Sequence, residues 1–419
     1  MVILIPIFSD AFLHPLHKDN NLSLLYIRHI GDNEGKMICV NHPDCIESES
    51  VDTIKNDSIN LYVVPDAKSL KHIFPNTRII DVKYLNWKDK NIPLQFEDIS
   101  LNAYDFLHSK YYNVNKLNEI IPFTKHKEYC DRVFEKMRDS FDTVYESKYH
   151  SDVINAFSLI EKEGIKVTEN VCEIFDERVR RHISESKLYS QYNLWTSTGR
   201  PSNSFGNINF AALTPEHKKA FIPENNFFVE FDFDAYHLRL IADLVDYKFK
   251  KESVHNYLAK YYECDYKESK AKSFKLLYGG VDKETREKVP FFDKVYKYIN
   301  SKWLEFNGNK YVKTDIYSRK LQFNNYASMN KTKLFNYLIQ AYETESNIQK
   351  INKLHIYLKD KKSNLVLYCY DSFLFDFHKE DGVETLKDIK NILEQDKHYT
   401  KSKMGLNYSE MVEITERLQ

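Results

Sequence analysis

The chain is short of alanine, glycine and proline and rich in lysine, asparagine and tyrosine. Ten glycines and 11 prolines in 419 residues are the drift of an AT-rich coding sequence, which carries no information about mechanism. No apolar run approaches the ~20 residues that a membrane span requires, so no membrane partner is expected. The opening MVILIPIFSDAFLHPLHKD lacks a basic segment and a small-residue cleavage site, so no signal peptide is expected. Its VILIPIF run reads as a buried first strand. The six cysteines (39, 45, 130, 172, 264 and 369) are scattered, with no paired spacing. That pattern fits a reducing, cytoplasmic location, the host's cytoplasm if the genome is viral. Cys39-x-x-His42-x-x-Cys45 offers three zinc ligands in a loop-like run and reads as chance. A net charge of −1 excludes a globally basic nucleic-acid binder. It leaves room for a local cationic surface, which is all that phosphate binding needs.

What is present is a globular composition, 42% hydrophobic with a mean hydropathy of −0.56, long enough for about two or three domains. Residues 1–118 alternate short apolar runs (VILIPIF, LSLLYIRHI, KMICV, NLYVVP, RIIDV) with turn-like clusters, the pattern of a small α/β domain. From 119 to about 190 the period turns helical. NNFFVEFDF (225–233) is an extended apolar run followed by the amphipathic AYHLRLIADLV. A Lys/Tyr-rich helical region covers about 253–279. NLVLYCYDSFLFDF (364–377) reads as two strands joined by a tight turn at Tyr370-Asp371-Ser372, and MGLNYSEMVEI suits a last strand and helix.

Phosphoryl transfer from a nucleoside triphosphate places charge on attacking and leaving oxygens. Two divalent ions about 4 Å apart can stabilise both, given two carboxylates on rigid neighbouring strands. Asp232, at the end of one apolar strand, and Asp371, at a hairpin tip, could meet in that way. Each alone reads equally well as a turn aspartate. Lys270, Phe274 and Tyr278 fall at i, i+4 and i+8 and share one helical face. They would offer an ammonium to a triphosphate and two rings to a base pair. On its own that face reads as an amphipathic helix with two core aromatics and a solvated lysine.

Taken together and in order, these segments resemble the family A DNA polymerases. TSTGRPSN (196–203) is similar to the family's T-x-T-G-R-x-S-S, GNINF (206–210) to N-L-Q-N, and KKAFIPENNFFVEFDFDAYHLRLIADL (218–244) to motif A. SVHNYLAKYY (253–262) resembles the D-I-H segment, and Lys270 to Gly279 matches motif B in its Lys, Phe, Tyr and Gly. NYLIQ (336–340) fits N-x-x-x-Q, and YDSF (370–373) fits motif C, H-D-E. The resemblance implies an α+β palm-and-fingers polymerase with an antiparallel palm sheet, preceded by a small α/β exonuclease-like domain. The implied boundaries are 1–118 for a degenerate exonuclease-like domain, 119–195 for a helical connector and reduced thumb, and 196–252 for the motif A palm. The fingers would take 253–330, and the motif C palm with the C-terminal segment 331–419.

By that resemblance Asp232 and Asp371, with the carbonyl of Phe233, would hold two Mg²⁺ ions, Mn²⁺ being a possible substitute. Lys270 would meet the triphosphate of a dNTP, with Phe274 and Tyr278 on the nascent pair. Arg200, Asn207, Asn209, Asn336, Gln340 and Tyr370 would touch primer–template DNA, positioning the duplex without reading its sequence.

Several positions depart from the family. The motif A glutamate that blocks a ribose 2′-hydroxyl is His237, which leaves sugar choice open between a gate and a packing residue. The motif C histidine and glutamate are Tyr370 and Ser372, and Asp-Ser-Phe also resembles the single-subunit RNA polymerases. The first motif B arginine is Tyr266, with Lys267 as a possible substitute. Only about 20 residues separate Val179 from Arg200, so the thumb is expected to be a stub, with low processivity unless an accessory replication protein grips the DNA. In FSDAF (8–12), Asp10 falls where D-x-E should be and Phe12 replaces the glutamate. No other exonuclease acid stands out around 60–72 or 104–108, so no 3′–5′ proofreading is expected. The expected function is template-directed, primer-extending DNA synthesis in replication or repair. The alternatives are a primase or RNA-capable polymerase, or an inactive polymerase-like DNA-binding subunit.

Overall fold

The computed structural model describes residues 1–10, 13–45, 50–96, 123–141, 146–203, 208–249, 253–323 and 328–418, the side chain of Tyr278 excepted. The chain forms two compact units, one of residues 1–192 with 203–212, the other of 193–202 with 213–419.

In the first unit the apolar runs of the sequence become a five-stranded sheet. Its strands are β1 (Val2–Phe8), β2 (Leu22–His29), β3 (Lys36–Cys39), β4 (Leu61–Val64) and β5 (Arg78–Asp81), in the order β3-β2-β1-β4-β5. β2 runs antiparallel to both β1 and β3, whereas β1, β4 and β5 are parallel. Parallel strands covered on both faces read as unbroken apolar runs, and Ile3, Leu4, Val63 and Val64 are fully buried. The helices are α1 (Ala67–Ile73), α2 (Val82–Lys90), α3 (Phe123–Arg138) and α4 (Lys148–Glu163). Asp66 caps α1 by accepting the Ser69 amide, and Asp81 caps α2 by accepting that of Lys83. Burial, then the nearby Asp66, pushes the Asp81 carboxyl up to about 7.

Two details of this unit bear on the sequence expectations. Cys39 and Cys45 form a disulfide with their Cα atoms 6.4 Å apart, which corrects the expectation of unpaired cysteines. A turn closed by the Cys45 amide on the His42 carbonyl (3.0 Å) brings them together, a local geometry that a spacing of six residues did not reveal. Both sulfurs are thereby withdrawn from any metal set with His42. Elsewhere His14, His72 and Glu161 converge in the interior. Glu161 accepts from Lys68, His72 and the Tyr192 amide. The Leu16 amide donates to His14 Nδ1 (3.2 Å), which puts the His14 proton on Nε2, so that nitrogen offers no lone pair to a cation.

The second unit is built on a wholly antiparallel sheet. Its strands are β6 (Phe227–Phe233), β7 (Asn364–Cys369), β8 (Ser372–Phe377), β9 (Thr400–Gly405) and β10 (Met411–Glu413), in the order β7-β8-β6-β9-β10. Phe228, Phe231, Phe373 and Phe375 are buried in its layer. The helices are α5 (Tyr236–Leu244), α6 (Val254–Tyr262), α7 (Tyr266–Gly279), α8 (Pro290–Asn309), α9 (Lys331–Leu358) and α10 (Gly382–Leu393). Leu238, Leu258, Leu277, Phe291 and Ile339 pack α5 to α9 into one core. α9 is 28 residues long, started by Asn330 accepting the Lys333 amide. It buries not only apolar residues but Glu343, Glu345, Asn347 and Lys350. Buried charges need partners, and those partners lead to the site. Among the described residues no helix is long and apolar enough to cross a membrane.

Candidate active site

β6 carries Asp232 to one end of the sheet, where the chain turns through Ala235 in a left-handed conformation (φ 52°) into α5. β8 lies beside it, with Asp232 opposite Ser372. The Phe233 amide donates to the Asp371 carbonyl at 3.0 Å, so the two aspartates sit on adjoining segments. The β7–β8 turn has only Tyr370 and Asp371 between the paired Cys369 and Ser372. Tyr370 takes a φ of 62°, a region that favours glycine and costs other residues about 1–3 kcal/mol unless the surroundings hold it. Here they do. The Asn347 side-chain amide donates to the Tyr370 carbonyl (3.0 Å), and the Arg200 guanidinium lies over the Tyr370 ring, 3.7 Å from its centre.

Arg200 links the T-S-T-G-R turn to α9. Its Nε is 2.9 Å from Glu343 Oε2. Thr198 donates to Gln340 Oε1 (3.2 Å), and Gln340 donates to Asn336 Oδ1 (3.2 Å). His237 Nε2 stands 3.4 Å from the same Glu343 oxygen. One fully buried carboxylate therefore gathers a residue from the 196–203 segment and one from α5.

Asp232, Asp371, His237 and Arg200 line a single cavity of about 240 Å³, joined by Lys270 and Phe274 from α7. Asp265 caps α7 through the Glu268 amide. Ser269, Ser273, Leu276 and Leu277 are buried on one side of the helix, which turns Lys270 and a 40%-exposed Phe274 outward. Phe233 also lines the cavity; its ring is buried and stacked on Tyr236, so the backbone carbonyl is the group it can offer.

The electrostatics of the cavity are unrelieved. Burial, then Asp371 and Glu230, push the Asp232 carboxyl up to about 6, against Lys403 and Lys401. Asp371 is exposed at the hairpin tip, yet loss of hydration within its walls raises it too. Glu343 adds to that rise, and His237 and Arg200 oppose it. An all-oxygen set of two carboxylates and a carbonyl, with carboxyls held above their ordinary range by loss of water and by neighbouring negative charge, fits a hard divalent cation.

Of the residues singled out in the sequence, the structure thus brings Asp232, Phe233, His237, Lys270, Phe274, Asp371 and Arg200 to one cavity, with Asn336, Gln340 and Tyr370 in the network that adjoins it. Lys267 is exposed and does not line it, whereas Tyr266 does. Asn209 belongs to the first unit, where its side chain accepts the Ala211 amide. Asn207 and the side chain of Tyr278 lie outside the described residues. The lining residues that were not singled out include Glu343, His255 and Lys401. Glu343 carried a signal, one helical turn beyond Gln340. His255 stands in the segment resembling D-I-H, is 2% exposed, and leaves Nδ1 without a partner. Lys401 carried none.

A scan against protein-family models finds no match, and neither does comparison with curated proteins. Among solved structures, the chain is similar to the polymerase domain of Pol1 from M. smegmatis, solved in complex with a DNA primer–template and dNTP. The TM-score is 0.68 at 13% identity, over 97% of this chain and 95% of that one. The chain has the mixed α+β fold of a DNA polymerase domain.

Proposed function

We propose that this protein is a template-directed DNA polymerase of the family A type, extending a primer with dNTPs. The observation that carries the reading is the meeting of Asp232, at the end of β6, and Asp371, in the β7–β8 turn, in one cavity with Lys270 and Phe274. Asp232, Asp371 and the Phe233 carbonyl would hold Mg²⁺, or Mn²⁺ in its place. Bound there, the ions would supply charge stabilisation to the attacking and leaving oxygens. In the transfer the primer 3′-oxygen forms a bond to the α-phosphorus, its proton passing to water. The bond from that phosphorus to the bridging oxygen breaks, and pyrophosphate leaves with the electron pair.

The chain's own residues do the positioning. Lys270 meets the triphosphate, and Phe274 presents its face to the incoming base. Buried His255, whose Nδ1 is unpartnered, lines the same pocket. Arg200, Asn336, Gln340 and Tyr370 face the sugars and minor groove of the duplex, where all base pairs look alike. His237, braced by Glu343, stands where a sugar would be sensed.

After the short helix Glu177–Arg180 the chain up to Arg200 forms three two-residue strands and no further helix, so we read the thumb as reduced and synthesis as distributive without an accessory protein. In the first unit, taken as an exonuclease-like remnant, Asp10 is engaged by the Leu13 amide and by Arg181 at 3.5 Å. Phe12 and residues 104–108 lie outside the described residues. We read this unit as lacking proofreading, and the protein as serving replication of a small genome or gap filling. Gel-based extension of a labelled primer tests the core reading: dNTP-dependent, Mg²⁺-dependent, template-matched addition supports it, and no addition overturns it. A second reading, an RNA-capable polymerase, is favoured by His237 in place of an acid and by Ser372 after Asp371; comparing NTPs with dNTPs separates the two.

A further inference from the structure

Lys401 stands directly across the β6–β9 pair from Asp232, so both side chains leave the same face of the sheet. Its ammonium is 3.2 Å from Asp234 Oδ1, and the side chain is 49% exposed. It also stands at a boundary. With Asp234 and Tyr266 it lines both the active-site cavity and a second, larger cavity of about 570 Å³. That second cavity holds two more cations, Arg239 and Lys390, and one more acid, Glu394. The acids are already engaged: Asp234 by Arg239 as well as by Lys401, and Glu394 by the amide and hydroxyl of Thr400.

α7 brings little positive charge to the cavity. Tyr266 and Lys270 line it, whereas Lys267 is exposed and does not, so among the described side chains of the helix Lys270 is the one ammonium there. A departing pyrophosphate carries several negative charges, more than one ammonium can balance. We propose that Lys401 is the second cationic contact for the β- and γ-phosphates and, once the bond to the α-phosphorus has broken, guides pyrophosphate into the adjoining cavity. This rests on the polymerase reading. Lys401 keeps its proton throughout and exchanges Asp234 for phosphate oxygens, while Arg239 retains Asp234 at 3.6 Å and through its carbonyl at 3.1 Å.

The test is single-nucleotide incorporation by the full chain on a primed template with Mg²⁺, together with inhibition by inorganic pyrophosphate. Lys401→Ala is compared with Lys401→Arg and with Lys387→Ala. Lys387, on α10, pairs with Glu384 at 2.9 Å and lines neither of these cavities. Losing one charged contact should raise the dNTP KM of Lys401→Ala by about 10–100-fold, with a smaller change in kcat, and raise the pyrophosphate inhibition constant in parallel. Arginine should restore both to within about threefold, and Lys387→Ala should move neither by more than about twofold. An active wild type whose dNTP KM and pyrophosphate inhibition are unchanged in Lys401→Ala overturns this inference alone. A wild type that extends no primer removes the polymerase reading and this inference with it.

Discussion

The amide of Phe233 donates to the carbonyl of Asp371 at 3.0 Å. That bond ties the end of β6 to the tip of the β7–β8 turn, and it makes neighbours of two acids 139 positions apart in the sequence. The chemistry proposed for this protein depends on that junction.

Asp232 should trade stability for function. Its folded carboxyl titrates near 6 against an ordinary 3.8, so the folded state holds the proton more tightly than the unfolded state. Stability contributed by the protonated form is full below about pH 4 and is lost as pH rises through about 6. In metal-free buffer at pH 8, Asp232→Asn should therefore raise stability by roughly 1–3 kcal/mol, while lowering incorporation about 1,000-fold. Thermal melts at pH 4 and pH 8 check the sign: the gain should shrink at the lower pH. A variant less stable than wild type at pH 8 would contradict it.

Arg200 should matter for folding as well as for DNA. Its partner Glu343 has a side chain 1% exposed, and removing one member of a buried pair strands the other. Arg200→Met should cost about 2–3 kcal/mol, less than for a fully buried pair because Arg200 is 23% exposed and His237 remains beside the carboxylate. Adding Glu343→Gln to Arg200→Met should recover most of that loss in a denaturant titration. No recovery would show that the pair is not the source.

His237, 3.4 Å from Glu343, should set sugar choice. His237→Ala should raise rNTP incorporation relative to dNTP by about tenfold or more with the dNTP rate little changed. An unaltered ratio in competitive extension assays would leave His237 as packing.

A reduced thumb should show itself in product length. With a trap that captures dissociated enzyme, the isolated chain should add only a few nucleotides per encounter; long single-encounter products would contradict the distributive reading.

Much of this was legible in the sequence because the carrying elements obey simple periods. VILIPIF, LSLLYIRHI, KMICV, NLYVVP and RIIDV became β1 to β5, and NNFFVEFDF and NLVLYCYDSFLFDF became β6 and the β7–β8 hairpin. What stayed hidden was polar. β9, TKSKMG, has no apolar alternation; it is held by two neighbouring strands, its lysines near Asp234 and Glu230, so nothing in its composition marks a strand or marks Lys401. The MGLNYSEMVEI tail yields the end of β9 and then β10, with a short 3₁₀ turn only after it, at Thr415–Leu418, instead of one strand and a helix. Glu343 and Asn347 sit on a helix whose apolar pattern gives no reason for them; their partners Arg200, Tyr236 and Tyr370 come from other segments. The Cys39–Cys45 bridge was missed because its closeness comes from a turn, which spacing does not encode.

The most direct test is Mg²⁺-dependent addition of one templated dNTP to a primer, measured for the wild type, Asp371→Ala and Asp232→Asn side by side. Robust addition by the wild type, and loss of about 1,000-fold in each variant with folding intact by circular dichroism, is the predicted result. Equal rates in all three would contradict the account.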